Sequence, residues 1–374
     1  TLYCVVILEK SSFYTTWRAR KISIYDGSEY INRDFLKEEK IMYNEDGHTT
    51  VRVHGCGLDF RSVSQNGGFD FSAAGVNPLR IDPRYNLSRQ TLGRMERLSK
   101  ARFIIAEKAP DIDPSRFDKE DKDTIRSIAL SVFASSEIEG EEISAKYIEA
   151  FVTAHTELSE NVTPELRQRL QAHEDIMNTY FWALNLHAEP VLTYDFVLEA
   201  HRRMFFATKG EFAGRIKNKE VRIHWHNNDG VLIDVPTISA DKAEEFLRGL
   251  CDRTNKMFKI AHESAEASFL LSAAEFACDF LAIHPFVDGN GLLARLLSTY
   301  LLERGGYNFS RIYPLDQIVL DSRASYYESL NSSQRYWHTD KEDLTPWINY
   351  FVGAVFEQWE RAFRRIKNNT FSHK

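Results

Sequence analysis

Short alternating runs of apolar and polar residues mark the first part of the chain. Residues 3–8, 22–25 and 49–53 are rich in β-branched or aromatic side chains, and an Asp-Gly turn at residues 26–27 follows the second run. Alternation with this composition predicts half-buried strands. We therefore expect residues 1–86 to form a small β-rich region, to which the sequence assigns no function.

Beyond residue 86, apolar residues recur with helical spacing. Those from Ile125 to Phe133 fall at i, i+3, i+4, i+7 and i+8, which places them on one face of an amphipathic helix. Asp118 or Asp121 can cap its start, and Gly140 can end it. The chain is thus predicted to be mainly α. Further helices are predicted at about 144–158, 165–187, 194–206, 240–262, 264–283, 289–304 and 344–367.

One stretch of the helical region has strand character. Val221, Ile223 and Trp225 alternate with polar residues, and an Asn-Asp-Gly turn at residues 228–230 precedes a second apolar run. This pattern predicts a β-hairpin over Val221–Val235. Because an isolated hairpin is not stable in water, we expect it to lie on the helical body as a binding edge or flap.

Composition and charge narrow the class of protein. The 374 residues include 47 Lys and Arg against 54 Asp and Glu, a net charge of −7, which argues against a dedicated nucleic-acid binder. No apolar run is long enough to cross a bilayer, so no membrane association is expected. The four cysteines are scattered without a C-x-x-C pair, which favours reduced thiols and a cytoplasmic location.

Residues 284–295, which read HPFVDGNGLLAR, carry the candidate chemistry. An apolar helix ends before Pro285, and Gly289 and Gly291 flank Asn290 in a tight turn that starts the next helix. Small residues at a helix N-terminus leave backbone N–H groups free to bind an anion. The alternative is an ordinary helix–turn–helix corner, which the combination of residue types in this segment disfavours.

Side chains of the same segment complete this candidate site. Arg295 lies one turn into the helix, within reach of a phosphate, and Asn290 can add an amide donor. Asp288 is a hard oxygen ligand suited to Mg²⁺. His284 can take up a proton near neutral pH. A phosphate cradle, a metal ligand and a base together are what phosphoryl or nucleotidyl transfer requires.

The segment closely resembles the Fic family signature, H-P-F-x-[D/E]-G-N-G-R-x-x-R. Residues 211–235 resemble the family's flap and its approach, and residues 343–347 its closing helix, so the similarity covers about residues 87–370. It implies a Fic helical bundle with a β-hairpin flap. Residues 87–160 would be N-terminal helices that include an inhibitory helix, and residues 161–374 the core with the flap and the closing C-terminal helices.

The resemblance implies an autoinhibited, Mg²⁺-dependent protein adenylyltransferase. Such an enzyme transfers AMP from ATP to a Ser, Thr or Tyr hydroxyl of a protein, which includes the enzyme itself, and releases pyrophosphate. By this resemblance His284 is the general base, and Asp288 holds Mg²⁺ on the α- and β-phosphates. The residues implied to bind the phosphates are Gly289, Asn290, Gly291 and Arg295.

By the same resemblance the hairpin would hold the target segment by β-augmentation. A homodimer is left open, because no feature of the sequence decides it. The flap residues implied to bind the target are Val221, Arg222, Ile223, His224 and Trp225.

Residues 135–140, SSEIEG, fit the family's inhibitory pattern [S/T]-x-x-x-E-[G/N], with Ser135, Glu139 and Gly140 at its fixed positions. The resemblance implies that Glu139 pairs with Arg295. A carboxylate on that guanidinium would compete with the γ-phosphate of ATP for one cation. The alternative is an ordinary helix C-terminus that Gly140 ends.

Leu292 stands where the signature has its first arginine. Losing one charge-assisted phosphate contact would cost about 1.5–3 kcal/mol. Arg215, Lys217 and Arg222 are candidate replacements, although a solvated position on the hairpin face is expected for all three.

The Leu292 departure keeps other functions open. One alternative is a degenerate Fic-fold module that binds nucleotide or protein without turnover. Another is a Fic enzyme that uses a different donor or removes AMP.

Overall fold

The structure is a computed structural model. It describes residues 3–10, 17–25, 30–33, 42–43, 49–50, 85–108, 117, 122–140, 164–187, 189–226, 232–264, 268–339 and 341–372. The backbone divides into two units, residues 1–69 and 70–374.

The first unit contains strands where alternation predicts them. Three strands form an antiparallel sheet in the order β1-β2-β3, in which Tyr3 is opposite Tyr25 and Ile24 is opposite Ile31. Two shorter strands form a second antiparallel pair. The predicted Asp-Gly turn lies outside the described residues. The strands are β1 (Tyr3–Lys10), β2 (Trp17–Tyr25), β3 (Tyr30–Arg33), β4 (Met42–Tyr43) and β5 (Thr49–Thr50).

The second unit is mainly α, as predicted. A single hairpin, β6 (Arg222–His226) with β7 (Leu232–Pro236), interrupts the helices among its described residues. The helix predicted at 144–158 lies outside the described residues. Asp118 and Asp121, the candidate caps of the helix before it, also lie outside them. The helices are α1 (Arg89–Lys108), α2 (Lys122–Ile138), α3 (Pro164–Leu184), α4 (Tyr194–Lys209), α5 (Ala243–Glu263), α6 (Phe269–Ile283), α7 (Asn290–Arg304), α8 (Leu315–Asp321), α9 (Arg323–Gln334) and α10 (Thr345–Ser372).

Several helix starts differ from the prediction, and the predicted ranges leave out three helices, α1, α8 and α9. The helix predicted from residue 264 begins at Phe269, because the Ser268 hydroxyl accepts a hydrogen bond from the Leu271 N–H and caps it there. Helices α8 and α9 were not predicted. The first has only seven residues, and four of the second's twelve are buried, so neither shows a long apolar period.

Helix α6 forms the centre of the second unit. It packs against α5, α7 and α10, and it is buried on all sides apart from its first turn. The buried Asp279 carboxylate of this helix has two partners. Arg253 lies 2.8 Å from it, and the Trp337 indole N–H donates to it at 2.7 Å. A charge can be buried here because it is paired and hydrogen-bonded. The two cysteines with described side chains, Cys251 and Cys278, are both buried.

None of the described helices combines the length and the apolar character that a membrane crossing requires.

Helix α10 covers α6 through Trp347. The Trp347 ring is fully buried, its indole N–H donates to the Ala274 carbonyl at 2.6 Å, and it contacts the rings of Tyr326 and Phe351. This contact fixes α6, whose C-terminal end carries the signature histidine.

We expect Trp347→Ala to lower the free energy of unfolding by about 3–5 kcal/mol, because it leaves a cavity and removes a buried hydrogen bond. Urea unfolding followed by circular dichroism measures this. The control is Leu92→Ala at a site that is half exposed, which should change stability by less than about 0.5 kcal/mol. Equal effects of the two substitutions would contradict the assignment of Trp347 to the core.

Candidate active site

His284 ends α6 in a left-handed conformation. Its φ and ψ are 50° and 61°, and its N–H donates to the Phe280 carbonyl at 2.9 Å. A non-glycine residue in this region is strained by about 1–2 kcal/mol, so the surrounding contacts must hold it there. The turn carries the chain away from α6 and leaves the imidazole half-buried.

The imidazole of His284 is held neutral. Burial and the nearby charge of Lys217 lower the pKa of His284 to about 4, against weaker opposing effects of the Leu281 backbone and of Asp288. Among the described residues, its Nδ1 atom has no hydrogen-bond partner. A neutral ring near pH 7 can accept a proton, which is what a general base requires.

Asn290 holds the loop that follows His284 in shape. Its buried side chain accepts from the Phe286 N–H at 3.0 Å and donates to the Phe286 carbonyl at 2.9 Å. The amide predicted to face a phosphate is therefore used within the loop. This leaves the backbone N–H groups at the start of α7 as the anion donors.

Two glycines of this loop are required by close contacts. Gly289 has a φ of 78°, and a Cβ there would lie 2.3 Å from the Phe205 ring. A Cβ on Gly291 would lie 2.0 Å from a Glu139 carboxylate oxygen. The second contact shows that the carboxylate of Glu139 lies directly against the N-terminus of α7.

Asp288 is exposed beside this anion site. One of its carboxylate oxygens accepts from the Gly289 N–H at 2.7 Å. The described residues contain no group of three or more His, Cys, Asp or Glu side chains that could hold a metal by themselves. One carboxylate beside an anion site fits Mg²⁺ that is held jointly with phosphate oxygens, which is how this ion commonly binds.

His201 on α4 supports the loop from beneath, and sequence reasoning missed it. Its Nδ1 accepts from the Gly214 N–H at 2.8 Å, so its Nε2 carries the proton and donates to the Asp288 carbonyl at 3.0 Å. Its ring stacks on Phe286 at 3.8 Å and 7°. A lone histidine on a helix has no local signal of such a role.

Arg295 belongs to α7, and its side chain is buried against the end of α2. Its Nη2 donates to Glu139 at 2.7 Å, and its Nε donates to the Ser135 hydroxyl at 2.6 Å. Its Nε also lies 3.6 Å from Asp316 on α8, a buried carboxylate that the sequence did not single out because α8 was not predicted. The structure thus brings together Glu139 and Arg295, the pair that the resemblance implies.

The end of α2 is held where Glu139 can reach Arg295. Gly140 has a φ of 96°, which suits the residue that ends a helix. The Tyr327 hydroxyl on α9 donates to the Ile138 carbonyl at 3.2 Å. The Glu139 side chain is 38% exposed, so solvent reaches its carboxylate while it contacts the buried arginine.

The hairpin has the predicted antiparallel pairing. Ile223 is opposite Val235, and His224 is opposite Asp234. The two-stranded sheet leaves an outer backbone edge on each described strand. Val221 and Ile223 are half-buried and Arg222 is exposed, whereas the side chains of His224 and Trp225 lie outside the description.

Leu292 and the three candidate replacement cations have different surroundings. Leu292 is 8% exposed and belongs to the hydrophobic core. Arg215 and Arg222 are exposed, in agreement with a solvated hairpin face. The same prediction is wrong for Lys217, which is 2% exposed, because its side chain turns inward and donates to the Ile283 carbonyl beside His284.

Comparison with known proteins finds similarity over part of the second unit. Residues 191–302 match the model of the Fic/DOC family. This range begins just before α4 and ends near the end of α7. Protein adenylyltransferase fic-1 of Caenorhabditis elegans is 27% identical over 179 residues, 48% of this chain and 30% of that protein. Protein adenylyltransferase Fic of Nematostella vectensis is 27% identical over 175 residues, 46% of this chain and 34% of that protein. The chain spans about a third of the length of these relatives.

Solved structures share the fold. A Fic family protein from Desulfovibrio desulfuricans G20 matches with a TM-score of 0.57 and 19% identity, covering 76% of this chain and 77% of that chain. A fragment of Fic-1 from C. elegans matches with a TM-score of 0.54 and 19% identity, covering 75% and 73%. These matches confirm the mainly α, Fic-like bundle with a hairpin.

We expect Gly289→Ala to destabilise the protein by about 1–3 kcal/mol, because the added methyl group meets the Phe205 ring at a positive φ. The matched control is Gly93→Ala in α1, where a Cβ meets nothing within 4 Å. That change should stabilise by about 0.4–1 kcal/mol. Thermal unfolding of both variants measures the difference, and a stabilising Gly289→Ala would contradict the described loop.

The lowered pKa of His284 predicts a pH dependence of stability. Its folded-state pKa of about 4 is below the ordinary histidine value of about 6.5, so only the unfolded chain takes up this proton between those pH values. Stability should therefore fall as pH drops through this window, and His284→Ala should remove that part of the fall. Urea unfolding at pH 7 and pH 5 measures it. An identical pH dependence in the two proteins would show that the imidazole is not held neutral.

Proposed function

We propose that this chain, which carries a Fic/DOC family domain at residues 191–302, is an Mg²⁺-dependent protein adenylyltransferase. It transfers AMP from ATP to a hydroxyl group of a protein and releases pyrophosphate. One observation carries the proposal: a single loop presents a neutral histidine, an exposed carboxylate and the N-terminus of α7. The adenylyltransferase names of the relatives support the same reaction.

In this reaction His284 accepts the proton of the target Ser, Thr or Tyr hydroxyl. The hydroxyl oxygen forms a bond to the α-phosphorus of ATP as the bond from that phosphorus to the pyrophosphate oxygen breaks. The low pKa of His284 keeps its ring unprotonated at neutral pH, as a base must be before it accepts a proton. The protein therefore supplies a base and a fixed position, as phosphoryl-transfer sites generally do.

The start of α7 binds the phosphates of ATP in this proposal. Backbone N–H groups near Gly289 and Gly291 and the guanidinium of Arg295 supply the donors, and Asn290 keeps their loop in shape. Asp288 would hold Mg²⁺, which neutralises part of the phosphate charge when it is bound.

The hairpin holds the target protein. Two strands with outer backbone edges can pair with an extended target segment and present its hydroxyl to His284. Arg222 and Ile223 lie in β6, and Val221 lies directly before it. The identity of the target, a homodimer and a cytoplasmic location stay predictions.

The resting protein is autoinhibited in this proposal. Glu139 accepts a hydrogen bond from Arg295 and lies against Gly291, so its carboxylate occupies the anion site that the phosphates need. Two anions cannot share this position without strong repulsion. ATP therefore binds productively only when the end of α2 moves.

Leu292 favours a second candidate, a nucleotide-binding or protein-binding module without turnover. A core leucine replaces a phosphate-binding cation, and Lys217 is occupied elsewhere. The remaining alternatives, another nucleotide donor or AMP removal, are tested by competition with CTP, GTP and UTP and by incubation with AMP-modified protein.

Glu139→Gly should raise AMP transfer, including transfer to the protein itself, by about 10-fold or more, because one charge-assisted contact of about 1.5–3 kcal/mol no longer competes with ATP. Intact mass after incubation with Mg²⁺ and ATP measures the gain of AMP. The matched control is Glu137→Gly, which removes an exposed glutamate two residues earlier and should leave transfer unchanged.

Glu139→Gly combined with His284→Ala identifies the base and should abolish the gain. Transfer that persists in this double variant would exclude His284 as the base. ATP binding without transfer in every variant would favour the module without turnover.

A further inference from the structure

Lys217 contacts the chain on both sides of His284. Its backbone N–H donates to the Pro285 carbonyl at 2.8 Å, and its side-chain Nζ donates to the Ile283 carbonyl at 3.1 Å. These two carbonyls belong to the residues immediately before and after the histidine. One residue thus contacts the peptide group that precedes the strained His284 and the peptide group that follows Pro285.

The same ammonium group also contacts the base of the hairpin. Nζ donates to the Thr237 hydroxyl at 2.8 Å, and that hydroxyl donates to the Val221 carbonyl at 2.6 Å. Val221 directly precedes β6 and Thr237 directly follows β7. Lys217 therefore connects both ends of the hairpin to the two residues beside His284.

The burial of Lys217 is unusual for an ammonium group. Lysine is almost never buried without a charged partner, and the side-chain hydrogen bonds of Lys217 go to a carbonyl and a hydroxyl. Burial lowers the pKa of Lys217 to about 8, so the group is still mostly charged at neutral pH. Burying this ammonium group lowers the stability of the fold, which favours a role in the site over a role in folding.

We propose that Lys217 is a positioning residue that holds His284 at a fixed place relative to the hairpin. This inference rests on the proposed function, in which the hairpin holds the target hydroxyl and His284 takes its proton. The distance between these two parts sets the rate, because a displacement of about 1 Å can lower a rate about 100-fold. The phosphate donors lie at the start of α7 and do not depend on Lys217.

The test compares Lys217→Met with Lys219→Met, both in the Glu139→Gly protein. Lys219 is exposed two residues away and serves as the matched control. We expect Lys217→Met to lower kcat for AMP transfer by about 10- to 100-fold, with the KM for ATP within about 3-fold of the parent. Lys219→Met should leave both constants unchanged. Equal kcat values for the two variants would overturn the proposal, as would a loss that lies wholly in KM.

Thr237→Val provides a second variant that keeps the lysine. It removes the hairpin side of the connection and should lower kcat with an unchanged KM for ATP. This variant decides the question if Lys217→Met does not fold, and an unchanged kcat would then overturn the proposal.

A readout without turnover separates this inference from the proposed function. The His284 ring signal in NMR spectra, assigned by its loss in His284→Ala, should move in Lys217→Met and stay in place in Lys219→Met. If the parent transfers no AMP but the signal moves, the proposed function fails and the positioning contact stands. A signal that does not move shows that Lys217 does not position the ring.

Discussion

The contact between Arg295 and Glu139 is the interaction on which the account of this protein depends. A buried guanidinium needs acceptors, and here it has Glu139, Ser135 and the nearby carboxylate of Asp316. Two of these acceptors come from the end of α2, about 160 residues before the arginine. Any anion that uses this guanidinium must replace them, so α2 controls access to the start of α7.

The rest of the site is built to keep one loop rigid. Asn290 ties the loop to itself, His201 donates to it from below, and Gly289 allows the Phe205 ring to approach. Lys217 fixes the residues that flank His284. In the proposed function, a rigid loop beside the partly exposed carboxylate of Glu139 means that α2 can move without rebuilding the loop.

Local patterns predicted much of the second unit. Most helices and the hairpin follow from apolar spacing, and the signature segment follows from the chemistry of its residue types. The sequence did not reveal His201, Asp316 or the burial of Lys217. Each is a single polar residue whose role depends on contacts made by distant parts of the chain, and no periodicity records such contacts. Helices α8 and α9 were missed for a related reason, since packing against α2 and α10 stabilises them more than their own sequence does.

The most direct test of the central claim is a pair of structures with Mg²⁺ and a non-hydrolysable ATP analogue, one of the protein as it is and one of Glu139→Gly. We predict that Arg295 contacts a phosphate oxygen of the analogue in Glu139→Gly and contacts Glu139 in the unchanged protein. An Arg295 that contacts no phosphate in Glu139→Gly would contradict it, because the carboxylate and the nucleotide would then not compete for one cation.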